Sequence, residues 1–228
     1  MTARIVILAR KGSRGLPGKN EAIIGGRPCV CWTIDHARRA AADEVVLSTD
    51  SPALLTLAES MGIATIERPP ELATDTARVD DALRHASGDA SRIVMLYANV
   101  PVRPPGIIDE ALRLLERTGA DSVQSFTPVG KFHPWWQVRI DDDGSLHPWE
   151  GDTLFHGTFR RQDLPPSHVP DGAVTVVTRE ALHLELGVAP GPHAFLGRDR
   201  RGVITPEGSV IDIDGHADLV RADLALRR

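Results

Sequence analysis

The sequence predicts an α/β fold, a mostly parallel central sheet flanked by helices, and three observations carry that reading. Short apolar runs alternate with helical patterns through the first half of the chain. The runs are continuous and β-branched, as in strands covered on both faces. At Asp50-Ser51-Pro52 a capping side chain is followed by proline in the first turn, a helix start signal. In order, the elements are RIVIL (4–8), a helix from about Pro28 to Ala41, EVVLS (44–48), a helix from about Pro52 to Met61, and IATI (63–66). A third cycle follows: a helix from about Thr76 to Ala86, RIVMLY (92–97), and a helix from about Pro105 to Arg117.

From Asp121 the pattern changes. DSVQSF, WWQVRI and SLHPWEG read as strands joined by turns, and DDDG (141–144) reads as a surface turn. Trp135, Trp136 and Trp149 fall in this stretch. A strand-rich arm cannot bury both faces of its own strands, so those rings belong either against the parent domain or in a partner chain. GAVTVV (172–177) is a strand, a helix lies near 179–186, VIDID (210–214) is a strand, and a last helix starts near His216. Residues 1–228 therefore read as one domain, with approximately 127–170 inserted as a β-rich dimerisation arm.

With 228 residues and 42% hydrophobic content the chain can bury a full core. A net charge of −5, with cations gathered in one loop, argues against a nucleic-acid partner. No apolar stretch approaches the roughly 20 residues of a membrane helix, and the first ten residues run into charge too quickly for a signal peptide. A cytoplasmic protein is expected. Cys29 and Cys31, one residue apart, suit neither a disulfide nor a zinc knuckle and read as small core residues.

The first candidate site is LARKGSRGLPGKN (8–20), where Gly12, Gly15 and Gly18 alternate with Arg10, Lys11, Arg14 and Lys19 directly after an apolar run. Glycine brings backbone N–H groups close to anionic oxygens and the cations supply charge, so the loop suits a polyphosphate. It is not a P-loop, because Ser13 and Asn20 stand where that motif needs glycine and a metal-binding hydroxyl. Nor is it the GxGxxG dinucleotide fingerprint.

In VIDID, Asp212 and Asp214 stand two apart, which on a strand puts both carboxylates on one side, roughly 7 Å apart. Such a pair can clamp Mg²⁺, which completes its shell with substrate phosphates; alternatively Asp214 caps the final helix. RPPELATDTA (68–77) and FRRQDLPP (159–166) are unusually polar for their setting. Arg160, Arg161 and Gln162 suit either a carboxylate with hydroxyls or open solvent.

LARKGSRGLPGKN, STD (48–50), RPPELATDTA, RRQDLP, DGAV and IDID together resemble the N-acylneuraminate cytidylyltransferases, or CMP-sialic acid synthetases, in order and spacing over nearly the whole chain. The resemblance implies a Rossmann-like nucleotidyltransferase fold with a dimerisation insertion. It also implies Mg²⁺-dependent reaction of CTP with an acidic nine-carbon sugar to give CMP-sugar and pyrophosphate. Carried over by motif position, Arg10, Gly12, Ser13, Arg14, Lys19, Asn20, Arg68, Asp75 and Ala77 would bind nucleotide, and Asp212 and Asp214 metal. Lys19, Arg10 and Asp214 would be catalytic. Tyr97, Asn99, Arg103, Arg161 and Gln162 would face the sugar.

The family's QPTSPLR is here YANVPVR (97–103), so Tyr97 replaces a sugar-contacting Gln, and the acceptor pocket must offer different hydrogen bonds. Asp171 stands for the usual Asn, adding negative charge near a carboxylate substrate, and Arg78 falls where the family tends to have Ser. Three alternatives stay open: a cytidylyltransferase for a 3-deoxy-octulosonic type of acid, a catalytically idle nucleotide-binding homologue, and a glycosyltransferase of similar fold.

Overall fold

The computed structural model describes residues 2–12 and 15–227. In chain order the first half comprises β1 (Ala3–Leu8), a two-residue ribbon of β2 (Ile23–Ile24) and β3 (Arg27–Pro28), α1 (Cys29–Arg38), β4 (Glu44–Thr49), α2 (Pro52–Ser60), β5 (Ala64–Glu67), α3 (Val79–Ala86) and β6 (Arg92–Tyr97). Then come α4 (Ile107–Thr118), β7 (Ser122–Pro128), the hairpin β8 (Val138–Ile140) and β9 (Leu146–Pro148), β10 (His168–Thr178), α5 (Arg179–Leu182), β11 (Arg200–Ile204) and α6 (His216–Leu226).

Seven strands form one sheet in the order β11-β7-β10-β6-β1-β4-β5. β6, β1, β4 and β5 run parallel, β10 is antiparallel to both β6 and β7, and β11 is parallel to β7. The continuous apolar run of β1 is explained by cover on both faces. Ile5 and Ile7 pack in a cluster with Ile34 of α1, Leu54 of α2 and Ile108 and Leu112 of α4. Val6 and Leu8 pack oppositely, with Leu83 of α3, Leu182 of α5 and Phe195. Each such side chain contributes about 1.5–3 kcal/mol by leaving water.

β1 sends the chain to β4 on one side, and β6 returns on the other, so strand order reverses between β1 and β6. In open α/β sheets the crevice beyond the carboxyl ends of such neighbours is where ligands bind. Arg10 and Asn99 lie just past those two ends.

Several expectations need correction. VIDID is not a strand of the sheet: Ile211 makes one isolated bridge to Val102, and the Ile213 N–H donates to the Asn99 carbonyl (2.9 Å). The last sheet strand is instead RRGVI, exposed at four of its five positions. α3 begins at Val79 rather than near Thr76, α5 is one turn ending at Leu182, and Pro134–Trp136 is a 3₁₀ turn rather than strand. Among the three tryptophans of the 127–170 segment, Trp135 stacks on His156 (4.6 Å between centroids) and the Trp136 indole donates to the Thr158 carbonyl (2.9 Å). Trp149 is exposed. Cys29 and Cys31 are free, buried thiols; burial pushes Cys29 up to about 12.

Arg103, expected at the sugar, is spent on the fold. Its Nε donates to the Ala173 carbonyl (2.7 Å), Nη2 to the Tyr97 carbonyl (2.8 Å), and Nη1 to Thr33 Oγ1 (2.9 Å) and the Val100 carbonyl. Burial drives its pKa down to about 9. The guanidinium ties the turn after β6 to β10 and α1, which holds Asn99 in place. Arg103→Met leaves several carbonyls without a donor in a dry site, and each buried orphan costs about 1–3 kcal/mol. Chemical denaturation of that variant should show a loss of about 3 kcal/mol or more.

Candidate active site

One cavity of about 350 Å³ opens at the switch point, and Arg10, Gly12, Lys19, Asn20, Arg68, Asp75, Ala77, Tyr97, Asn99, Asp212 and Asp214 all line it. The basic amino-terminal loop and the acidic carboxyl-terminal pair thus meet in one place. Ser13 and Arg14 lie outside the described residues.

The loop is anchored at both ends. Leaving β1, the Ala9 N–H donates to Ser48 O (3.0 Å), and the Lys11 N–H to Asp50 Oδ1 (2.7 Å). Returning, the chain turns at Gly18, with φ +69°, and Asn20 Nδ2 closes the loop on the Arg10 carbonyl (2.9 Å). Asn20 Oδ1 is buried with no hydrogen-bond partner among the described residues. A bound hydroxyl or amino group would satisfy that acceptor.

Gly15 has ordinary φ, and its requirement is space: a Cβ there would lie 2.5 Å from the Asp214 carbonyl oxygen. Beside this contact, Lys19 Nζ donates to the Ile213 carbonyl (2.8 Å) and to Asp214 Oδ1 (2.9 Å). Asn99 Nδ2 donates to Asp212 Oδ1 and to the Ile213 carbonyl (3.2 Å). Although the segment is not a strand, its alternation survives: Ile211 and Ile213 are buried under α6, and the two aspartates face the cavity. Burial, reinforced by the charge of Asp214, pushes Asp212 up to about 6.

On the far wall, Arg10 Nη1 pairs with Asp75 Oδ1 (2.6 Å). Arg68 is buried, donating from Nε to Ser48 Oγ (3.3 Å) and from Nη2 to Ser48 O (3.0 Å). Burial also raises the Tyr97 phenol, whose ring separates this cavity from a smaller one of about 180 Å³.

Other sequence-derived candidates sit elsewhere. Arg161 and Gln162 are exposed on the 127–170 segment, and Arg161 lines a separate cavity and faces Glu207 at 3.5 Å. Asp171 does not reach the cavity: its carboxylate accepts from Ser125 Oγ (2.5 Å), Thr205 Oγ1 (2.5 Å) and Ala173 N–H (3.0 Å), bracing the β10 bulge. Sequence reasoning missed Leu72, Thr74, Arg78 and Val79 as cavity walls. The first two lie inside the ELATDTA motif itself, and their neighbours Asp75 and Ala77 were the signal.

The class is a nucleotidyltransferase-type α/β fold. A structure described as CMP:2-keto-3-deoxy-manno-octonic acid synthetase complexed with CTP superposes with a TM-score of 0.75 at 18% identity, over 99% of this chain and 98% of that one. Residues 4–137 match the family model described as cytidylyltransferase, and the chain belongs to that family.

An N-acylneuraminate cytidylyltransferase of Streptococcus agalactiae serotype V is 33% identical over 181 residues, 77% of this chain and 43% of that protein. One from Escherichia coli O18:K1:H7 is 28% identical, over 93% of this chain and 49% of the relative. CMP-N,N'-diacetyllegionaminic acid synthase of Legionella pneumophila is 34% identical, over 62% and 64%. The chain spans about half the length of the first two relatives.

Gly15→Ala tests the closure. The alanine methyl must push the 212–214 segment away from the loop, because the obstructing atom is backbone. Nucleotide affinity should fall by about tenfold or more, the cost of displacing even one charge-assisted contact. Isothermal titration with CTP checks this, with an unchanged circular dichroism spectrum.

Proposed function

We propose that the protein transfers CMP from CTP to the anomeric hydroxyl of a sialic-acid-like nonulosonic sugar acid, releasing pyrophosphate. The observation that carries this is the meeting of Lys19 and Asp214 at 2.9 Å inside the cavity at the β1/β6 switch point, in a chain of the cytidylyltransferase family.

The donor set fits Mg²⁺. Asp212 and Asp214 offer two oxygen ligands, the number Mg²⁺ takes from protein when phosphates and waters supply the rest, and the raised Asp212 carboxyl welcomes a cation. Bound there, the metal would neutralise charge on the phosphates being separated. The chain's own groups do the remaining work. Arg10 and Lys19 hold the triphosphate, with Lys19 meeting negative charge at the α-phosphate. Asn20 and Arg68, with the 72–77 turn, hold the nucleoside. Asn99 orients Asp212, and Asp214, exposed at the mouth, accepts the proton of the incoming hydroxyl.

The arm carries Phe132 (69% exposed), Trp149 (57%) and Phe159 (82%), rings a second copy of the chain would cover. In that homodimer Arg161 and Gln162 would serve a pocket other than their own.

Incubating the protein with each nucleoside triphosphate, Mg²⁺ and N-acetylneuraminate, N,N'-diacetyllegionaminate or 3-deoxy-manno-octulosonate should release pyrophosphate with CTP alone among the triphosphates. Asp212→Asn should remove that release, by about 10²-fold or more for a lost electrostatic contact to the reacting phosphates. No turnover with any pair would refute the reading. Light scattering should give twice the 24.7 kDa chain mass, and Phe159→Glu should return it to one.

A further inference from the structure

Three cavities meet at Val79: the nucleotide cavity, the 180 Å³ space behind Tyr97, and one of about 330 Å³ bounded by Arg78, Asp80, Gly191 and Pro192. The space behind Tyr97 is walled by Met95, Pro192, Phe195, His193 and the uncharged Gln124, Ser125 and Thr175, with no lysine or arginine among its described lining residues. Yet the acceptor of the proposed reaction is an acid. Arg10 and Lys19 are on the phosphate side, already engaged with Asp75 and Asp214. Across the second and third cavities Arg78 is the sole lysine or arginine among the described residues.

Arg78 is also held as a receptor should be. Its Nε and Nη2 donate to Asp80 Oδ1 (3.0 Å) and Oδ2 (2.9 Å), and Nη2 donates as well to the Gly191 carbonyl (3.1 Å). Asp80 is 2% exposed and divides its charge between Arg78 and Arg84, whose Nη2 lies 2.7 Å away. Arg84 is fixed in turn by Leu182 O (2.7 Å) and Asp81 (2.6 Å). The guanidinium plane is thereby set, and Nη1 has no partner among the described residues. A guanidinium fixed on one edge and open on another can take a carboxylate without first losing rotamer freedom.

We infer that Arg78 is a specificity-determining residue that receives the acceptor's carboxylate at the wall the nucleotide cavity shares with the 330 Å³ space beside Gly191 and Pro192. This rests on the nucleotidyl-transfer reading above. It assigns selection for an acid to a side chain on the lip of α3, and leaves the space behind Tyr97 for the acceptor's uncharged substituents.

The test uses the full chain with CTP, Mg²⁺ and whichever of the three acids turns over fastest, beside the methyl ester of that acid. Arg78→Gln should keep the folded circular dichroism spectrum at a lower thermal midpoint, because Arg84 still partners Asp80 while the buried carboxylate loses one of its two cations. Its KM for the acid should rise about 10- to 100-fold, the range of a charge-assisted hydrogen bond, while the KM for CTP stays within about twofold. Wild type should prefer acid over ester and Arg78→Gln should not, with Arg78→Lys recovering part of the preference. An unchanged acid KM and acid preference in Arg78→Gln, or a loss falling on CTP, overturns the assignment while leaving the transferase reading intact. A wild type that releases no pyrophosphate from any pair overturns both.

Discussion

The approach of Gly15 and Lys19 to Ile213 and Asp214 is the contact on which the site depends. It joins positions 195 residues apart, and neither side is a binding site alone. The amino-terminal loop has the cations but, past β1, no wall. The carboxyl-terminal segment has the carboxylates but no place in the sheet. Each completes the other through backbone, since Gly15 is limited by a carbonyl oxygen and Lys19 is held by another.

Charge in the cavity is balanced before any ligand arrives. Arg10 with Asp75, and Lys19 with Asp214, keep cations and carboxylates from facing each other unpaired. These partly exposed pairs contribute little to stability by themselves. In the proposed reaction their value would lie in exchange: a phosphate would take over Lys19 and a divalent ion the Asp214 carboxylate that Lys19 releases. Asp212 stands outside this scheme. Burial and the neighbouring carboxylate raise its pKa, and a neutral amide from Asn99 is the contact that orients it.

The first half of the fold was legible because buried parallel strands announce themselves as unbroken apolar runs, and β6 lies at the residues read for it. What failed was read by the same rule in the wrong setting. VIDID has strand alternation yet lies outside the sheet, since its isoleucines are buried by α6 and the 99–102 turn rather than by neighbouring strands. RRGVI has too little apolar character to be seen, as suits a sheet edge that must not invite another chain. The basic side of the cavity was legible as a string of cations and glycines, a composition that marks a loop shaped to hold anions. Arg103 was not, because sequence cannot tell an arginine that serves a ligand from one that serves carbonyls.

Three of the departures from the motif pattern, at positions 171, 97 and 78, separate on physical grounds. Asp171 looks electrostatic in sequence, but two hydroxyls and an amide absorb its carboxylate at the junction of β7, β10 and the chain after β11, so its charge is spent on holding a bulge. Tyr97 acts by shape: its rigid side chain is a wall common to two cavities. Arg78 lines the same large cavity and, on its other side, the 330 Å³ space, with Nη1 unpartnered among the described residues. The two side chains therefore bound different spaces from one cavity wall: Tyr97 backs the 180 Å³ space and Arg78 the 330 Å³ one, with Val79 common to both.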